Sequence, residues 1–251
     1  MKFTFLGTGS AFTLANYHSN MLLEVDGHRL LIDCGGDARF GLHKLGLGAK
    51  DIEAVYISHL HADHVGGLEW FALSRFFGPQ LPKPRLYINE KLSEELWDNC
   101  RKAGLGTLQN LVAHLETYFD LHRIGRNSGF EFAGKHLQTV QTVHYMDCYE
   151  IVPCYGLLMP TSNGSKAFLT TDTQFTPGQL NSFYRDSSLI FHDCETAAHR
   201  SGVHAHYEEL KTLPEEIREK MWLYHYQDGD LPDAKADGFA GFAEQGQVFE
   251  I

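Results

Sequence analysis

The chain has 251 residues, 43% of them hydrophobic, with a formal net charge of −11 and no basic block longer than Arg101-Lys102. That is apolar material for a sizeable core, in one large α/β domain or two small ones, since length alone does not choose. The acidic balance argues against a large nucleic-acid partner, which is gripped through cationic contacts to phosphate, and no apolar run approaches membrane-spanning length.

Residues 2–6 read as a buried strand ending at Gly7-Thr8-Gly9-Ser10. The apolar part of this opening is too short for a signal peptide. Two β-rich runs, 20–26 and 29–34, are joined across Asp26-Gly27-His28, a hairpin signal. A helix is expected near 37–45, a strand over 53–58 and a helix beginning near His64. Residues 85–89 read as a strand and 92–122 as helical, with breaks near Gly104 and Gly106. A second β-rich half follows at 136–143, 149–158 and 166–171, with helices expected at 177–184 and 206–219. Strands recur at 188–192 and 221–226, and residues 247–251 read as a last short strand. The stretch 228–246 reads as a surface loop that returns the chain to the sheet. With no linker and no internal repeat, the expectation is one domain over 1–251, with two β-rich halves interleaved with helices in an α/β/β/α layering. Five cysteines, odd in number and irregular in spacing, fit a reduced cytoplasmic protein.

The chemistry concentrates at His59-Leu60-His61-Ala62-Asp63-His64, directly after the apolar run Ala54-Val55-Tyr56-Ile57. Side chains alternate along a strand, so His59 and His61 share a side and can grip one zinc ion. Asp63 and His64 lie past the turn and suit a second ion. Imidazole and carboxylate are the ligands zinc takes in catalytic sites that keep a position open for water. Further candidates stand at strand ends: His144, Asp172 and His225. Alone, the two histidines read equally well as half-buried residues and Asp172 as a cap; the cluster at 59–64 makes them candidate ligands.

The pattern H-x-H-x-D-H resembles the signature of the metallo-β-lactamase superfamily. That resemblance implies an αββα sandwich of two mixed sheets. It implies that His59, His61 and His144 hold one zinc, that Asp63, His64 and His225 hold another, and that Asp172 bridges them. Two Zn2+ per chain are expected, with Mn2+ as a substitute. Five neutral imidazoles and two carboxylates leave such a pair net positive. It would attract a phosphate and lower the pKa of a water held there, with Asp63 placed to steer or accept the water proton.

The opening Phe5-Leu6-Gly7-Thr8-Gly9-Ser10-Ala11, the segment Asn16-Tyr17-His18-Ser19-Asn20 and the strand end Leu31-Ile32-Asp33-Cys34-Gly35 resemble the ribonuclease Z-like branch. So do Cys194-Glu195-Thr196 and Gly202-Val203-His204-Ala205-His206. Two departures stand out. Ribonuclease Z carries a Gly/Pro-rich basic arm that grips tRNA, whereas Gly78-Pro79 and Pro82-Lys83-Pro84 are too short for one. Its last metal histidine is followed by Ser, Arg and Tyr positions, where this chain has Tyr226-Gln227-Asp228-Gly229-Asp230. Phosphodiester chemistry without a polynucleotide grip points to a small substrate. Among relatives of that kind, the chain most resembles the anti-Pycsar family, which opens cyclic mononucleotides.

The resemblance implies a dizinc phosphodiesterase that converts 3′,5′-cyclic nucleotides (the cCMP, cUMP, cAMP, cGMP class) to nucleoside monophosphates. It also implies a homodimer, to which the aromatic stretch 70–77 adds an apolar patch. His204 matches a Gly-His position and is expected to act as a catalytic acid on the leaving oxygen, with His206 as a substrate-binding candidate. Both also read as surface or capping histidines. The alternatives are a tRNA 3′-processing endoribonuclease, a lactonase or thioesterase of the same superfamily, and a metal-bound scaffold without activity.

Overall fold

Two seven-stranded sheets lie face to face in the computed structural model, which describes residues 1–126 and 128–251, the side chain of residue 99 set aside. In chain order the strands are β1 (Lys2–Phe5), β2 (Met21–Val25), β3 (His28–Ile32), β4 (Ala54–Ile57), β5 (Arg85–Asn89), β6 (Thr107–Leu108), β7 (Leu111–Val112) and β8 (Asp120–Ile124). They continue as β9 (Gly129–Phe132), β10 (Lys135–Met146), β11 (Ile151–Pro160), β12 (Lys166–Leu169), β13 (Leu189–Asp193), β14 (Met221–Tyr224), β15 (Gly241–Phe242) and β16 (Val248–Glu250). The first sheet runs β16-β1-β2-β3-β4-β5-β8 and the second β15-β14-β13-β12-β11-β10-β9.

Strand periodicity sorts the core. Along β1 to β4, Phe3, Phe5, Met21, Leu23, Leu30, Ile32, Ala54 and Tyr56 turn inward to meet Leu157, Leu169, Phe191 and Tyr224 of the second sheet. The alternate residues Leu22, Leu31, Val55 and Ile57 face outward under a helical layer that includes Leu42, Leu68 and Phe71. Outside the second sheet, Phe168, Ile190, Met221 and Leu223 pack against Leu180, Tyr184, Leu210 and Ile217. Three apolar interfaces therefore separate four layers, and the expected αββα order is what the chain adopts.

The β2–β3 hairpin closes over Asp26 and Gly27, both with positive φ (49° and 85°), the backbone a two-residue primed turn requires. The helical expectation over 92–122 needs correction. Helical turns cover Glu90–Leu105 and Leu115–Tyr118, but β6 and β7 form a small ribbon between them. Residues 120–124 are a strand, paired in parallel with β5 at the sheet edge. The helix expected over 206–219 is two short ones, Tyr207–Leu210 and Glu215–Arg218, because Pro214 cannot continue the first. Strand β9 was not anticipated at all. The last strand, β16, zips antiparallel to β1, and the Met1 ammonium donates to the Ile251 carbonyl at 3.0 Å. Among the described residues no helix is long and apolar enough to cross a membrane.

Candidate metal centre

The site sits where strand ends of both sheets converge. All four residues of β4 are buried, and this strand delivers the chain rigidly to His59. His61 is the cap of the short helix Ala62–Val65, which carries Asp63 and His64. This turn packs against Gly35, where a Cβ would collide with the Asp63 carbonyl, so glycine is required there. From the second sheet, β10 brings His144 at a register shift between Val143 and Met146. Such bulges re-aim side chains. Asp172 follows β12, and His225 follows β14 with its N–H donating to the Thr8 carbonyl at 2.7 Å.

These side chains fall into two groups. One donor atom from each of His59, His61, His144 and Asp172 lies within 4.8 Å of the others; the same holds for Asp63, His64, Asp172 and His225. Asp172 belongs to both. Its Oδ2 lies 3.7 Å from the Nε2 of His59 and of His144, 3.3 Å from His64 Nε2 and 3.4 Å from His225 Nε2. His64 and His225 stand 3.1 and 3.3 Å from Asp63 Oδ2. Neighbouring ligands on a tetrahedral zinc stand about 3.4 Å apart, given bonds of about 2.0–2.1 Å. His59 Nε2, His64 Nε2 and Asp172 Oδ1 are buried with no hydrogen-bond partner. Buried polar atoms are rarely left so. Unpartnered donor atoms on three members of the two groups fit a place that holds metal.

Outer contacts fix the rings. His64 Nδ1 donates to Asp33 Oδ2 at 2.7 Å. Asp33 also accepts from the Ser58 N–H at 2.8 Å and the Ser58 hydroxyl at 2.7 Å. With its proton on Asp33, Ser58 Oγ is free to accept from His59 Nδ1 at 3.0 Å, which leaves His59 Nε2 bare toward Asp172. His144 Nδ1 donates to the Val203 carbonyl at 2.8 Å. Asp193, fully buried, faces His225 Nδ1 at 3.4 Å and accepts from His204 Nδ1 and the Thr173 N–H, both at 2.8 Å. Partners of this kind set tautomer and ligand strength. Three residues that seat the site have left-handed backbone: Asp33, Thr171 and His225, with φ of 59°, 53° and 66°. That is costly for any side chain, most of all β-branched Thr171.

Charge divides the groups differently. Burial holds the imidazole of His59 well below its ordinary value and lowers His61 and His144, so these three stay neutral. Against the same burial, carboxylates win at the other two. Asp172, Asp63 and Asp33 push His64 well up, and Asp172 and Asp193 do the same for His225.

His204 lies at the edge of the cluster, its ring 4.6 Å from that of His225 and 4.7 Å from that of His144. His206 stays apart. Its Nδ1 accepts the Glu208 N–H and its Nε2 donates to the Ala197 carbonyl, so it caps the following helix. Asp33 and Asp193 were missed as site residues in the sequence. Each is a single acid at a strand end, and that position was the only signal.

A family model described as "Anti-Pycsar protein Apyc1" matches residues 1–249. The chain belongs to that family. A protein named "Anti-Pycsar protein Apyc1" from Paenibacillus harenae is 39% identical over 231 residues, covering 91% of this chain and 90% of its own. Among solved structures, the metallo-β-lactamase fold protein YhfI from Bacillus subtilis superposes with a TM-score of 0.76 at 19% identity, covering 99% of this chain and 98% of its own. The short form of human tRNase Z gives 0.70 at 19% identity, covering 99% and 98%. At such identities these two establish the metallo-β-lactamase fold and nothing more. Family membership, with the two donor groups, makes the chain a metal-dependent hydrolase.

Proposed function

We propose that the chain is a dinuclear phosphodiesterase that hydrolyses 3′,5′-cyclic nucleotides to nucleoside monophosphates. The observation that carries this reading is the shared carboxylate: Asp172 stands in both donor groups, in a chain whose family match covers 1–249. His59, His61 and His144 would hold one Zn2+, and Asp63, His64 and His225 the other, with Mn2+ able to substitute. Bound there, two dications would supply Lewis acidity toward the phosphoryl oxygens and a water of lowered pKa. The reading takes 1–251 as one domain.

The protein's own part is proton placement. Ring opening expels a poor alkoxide leaving group, so a positioned acid is worth about 10²–10⁴-fold. Asp193 occupies His204 Nδ1 at 2.8 Å. Against its burial, that carboxylate raises the imidazole above its ordinary value and so favours the doubly protonated ring. Nε2–H then remains to be given to the leaving oxygen. Asp63 would receive the proton of the attacking water. His206, with both nitrogens engaged, is better cast as a positioning residue for the 202–206 segment than as a substrate ligand.

A homodimer belongs to the same reading, on a narrower patch than residues 70–77. Phe71 and Ala72 are buried, and Phe76 and Phe77 are the exposed members. A monomer in light scattering at micromolar concentrations would remove this element. Five cysteines without disulfide partners support a reducing, cytoplasmic setting. The test of function is a panel of cyclic nucleotides, a pre-tRNA and a lactone, offered to the zinc- or manganese-loaded protein. Turnover of cyclic nucleotides with little salt dependence is expected. Cleavage of pre-tRNA alone, or of the lactone alone, would replace the proposal.

A further inference from the structure

The metal centre lies at the C-terminal ends of the parallel strands of the first sheet. At their opposite ends is a cavity of about 500 Å³ whose lining includes Arg29, Lys50, Arg75, Lys83 and Arg85. Along the strands the two places are about 20 Å apart, six residues at about 3.3 Å each between Glu53 and His59. Such a concentration of cations stands out in a chain of net charge −11.

The acids of this cavity are each engaged but keep their charge. Asp51 accepts the Gly48 N–H at 2.8 Å. Glu53 is taken by His28 at 2.8 Å and reaches Arg85 at 3.9 Å, while Arg29 is paired with Glu24 at 2.9 Å. Among the described residues, Lys50, Arg75 and Lys83 make no ion pair. Arg75 is fixed in place by donating to the Lys50 carbonyl at 3.1 Å and to the Pro82 carbonyl, and the Lys83 ammonium rests on the Glu116 carbonyl at 2.6 Å. Burial lowers the Arg75 guanidinium, a cost that an anion in the cavity would relieve. Leu81 and Pro82 add an apolar wall, on a loop stiffened by Pro79, Pro82 and Pro84. This is the segment too short to be a tRNA-gripping arm.

We infer that this cavity is a second ligand site, separate from the metal centre, for a nucleotide-sized phosphate monoester carrying two negative charges. The volume falls in the range of small-molecule pockets. Five cations here face three carboxylates, Asp51, Glu53 and the Glu24 paired with Arg29, so two positive charges are in excess; that is more than a monoanionic cyclic phosphodiester can neutralise and matches a phosphate monoester, whose second pKa near 6 makes it close to dianionic at neutral pH. Leu81 and Pro82 offer the organic body a dry surface.

The probe is 5′-AMP, titrated into the zinc-loaded protein and followed by backbone amide NMR. Saturable shifts are expected at residues 50–53 and 81–85, with affinity falling as salt rises. Adenosine should leave these amides unmoved. Arg75→Gln should weaken binding there about tenfold or more, as for loss of a charge-assisted contact. Because Arg75 also ties two loops together, Lys50→Glu is the second variant; Lys50 is exposed, and its charge reversal should weaken binding at least as much. Neither change should alter turnover at the metal centre. Shifts confined to residues around 59–64, or equal affinity in wild type and Lys50→Glu, would overturn the inference. The outcome does not depend on which ester the metal centre cleaves.

Discussion

The two halves of the molecule share one pairing plan and serve the site in opposite ways. Each sheet has three antiparallel pairings on one side and three parallel pairings on the other. The first half presents four candidate ligands within six residues, His59 to His64, on a single turn backed by Asp33 and Ser58. The second half presents three, His144, Asp172 and His225, at three strand ends backed by Val203 and Asp193. A local turn can set the spacing of its own side chains. Dispersed ligands depend on sheet register, so their geometry is a property of the whole second sheet. The shared carboxylate comes from the dispersed half.

The comparison is most exposed at Asp172. Asp172→Ala removes the one donor common to both groups, and elemental analysis should find fewer than two metals per chain, with activity falling by well over about 100-fold, beyond the usual cost of an outer-shell change. Two tightly held metals in that variant would mean that the shared carboxylate is not needed to hold either ion.

Next comes His204, a dispersed-half residue that shares no donor group with the residues of the 59–64 turn, though with Asp172, Asp193 and His225 it forms a third set within 4.8 Å. His204→Ala should keep its metals yet lose about 10²–10⁴-fold on a cyclic nucleotide, with little loss on an ester whose nitrophenol leaving group needs no proton. Equal losses on the two substrates would take His204 out of proton transfer. Asp193→Asn should mimic it, and should also weaken the ion held by His225.

On the local side, Asp33→Asn should cost about 10–100-fold in metal affinity. The loss should fall mainly on the group containing His64, so dialysis against a chelator should strip one metal before the other. Loss of both metals together would show that the Ser58 relay to His59 couples the groups. Ser58→Ala should have a smaller effect of the same kind.

The smallest effect concerns neither group. Asp228 accepts from the Leu14 N–H at 2.6 Å and the Ala15 N–H at 3.2 Å, and from the side chains of Thr13 and Asn16. Although its slight burial opposes this, these donors hold its carboxyl below the ordinary value. A depressed carboxylate pKa stabilises above its unfolded value, and the contribution is lost as pH falls through the folded one. Amides 14 and 15 should therefore exchange faster, relative to their intrinsic rates, once Asp228 is protonated in acid. Asp228→Asn should abolish that pH dependence. An unchanged profile would separate the loop from Asp228.

Much of this was legible because it was local. The cluster at 59–64 needs no tertiary knowledge, and His144, Asp172 and His225 are marked by the apolar runs they end. Asp33 and Asp193 carry no spacing signal, and their partners His64 and His204 are 31 and 11 residues away. Residues 120–122 read as helix in the sequence because what makes them part of a strand is β5 alongside, which local pattern does not contain. The layering was readable from two β-rich halves interleaved with helices, whereas β9 offered only four residues, one of them Gly129.

The left-handed backbone at Asp33, Thr171 and His225 has a consequence for any effort to harden this protein. Each such residue costs about 1–3 kcal/mol, and Thr171, whose side chain accepts no bond from a candidate ligand, is where a screen that rewards melting temperature alone will favour glycine. Glycine relaxes the bend but also frees the peptide beside Asp172 to wander. Variants of that kind should survive heat and lose turnover together, and a thermostable, active line has to be selected on both properties at once.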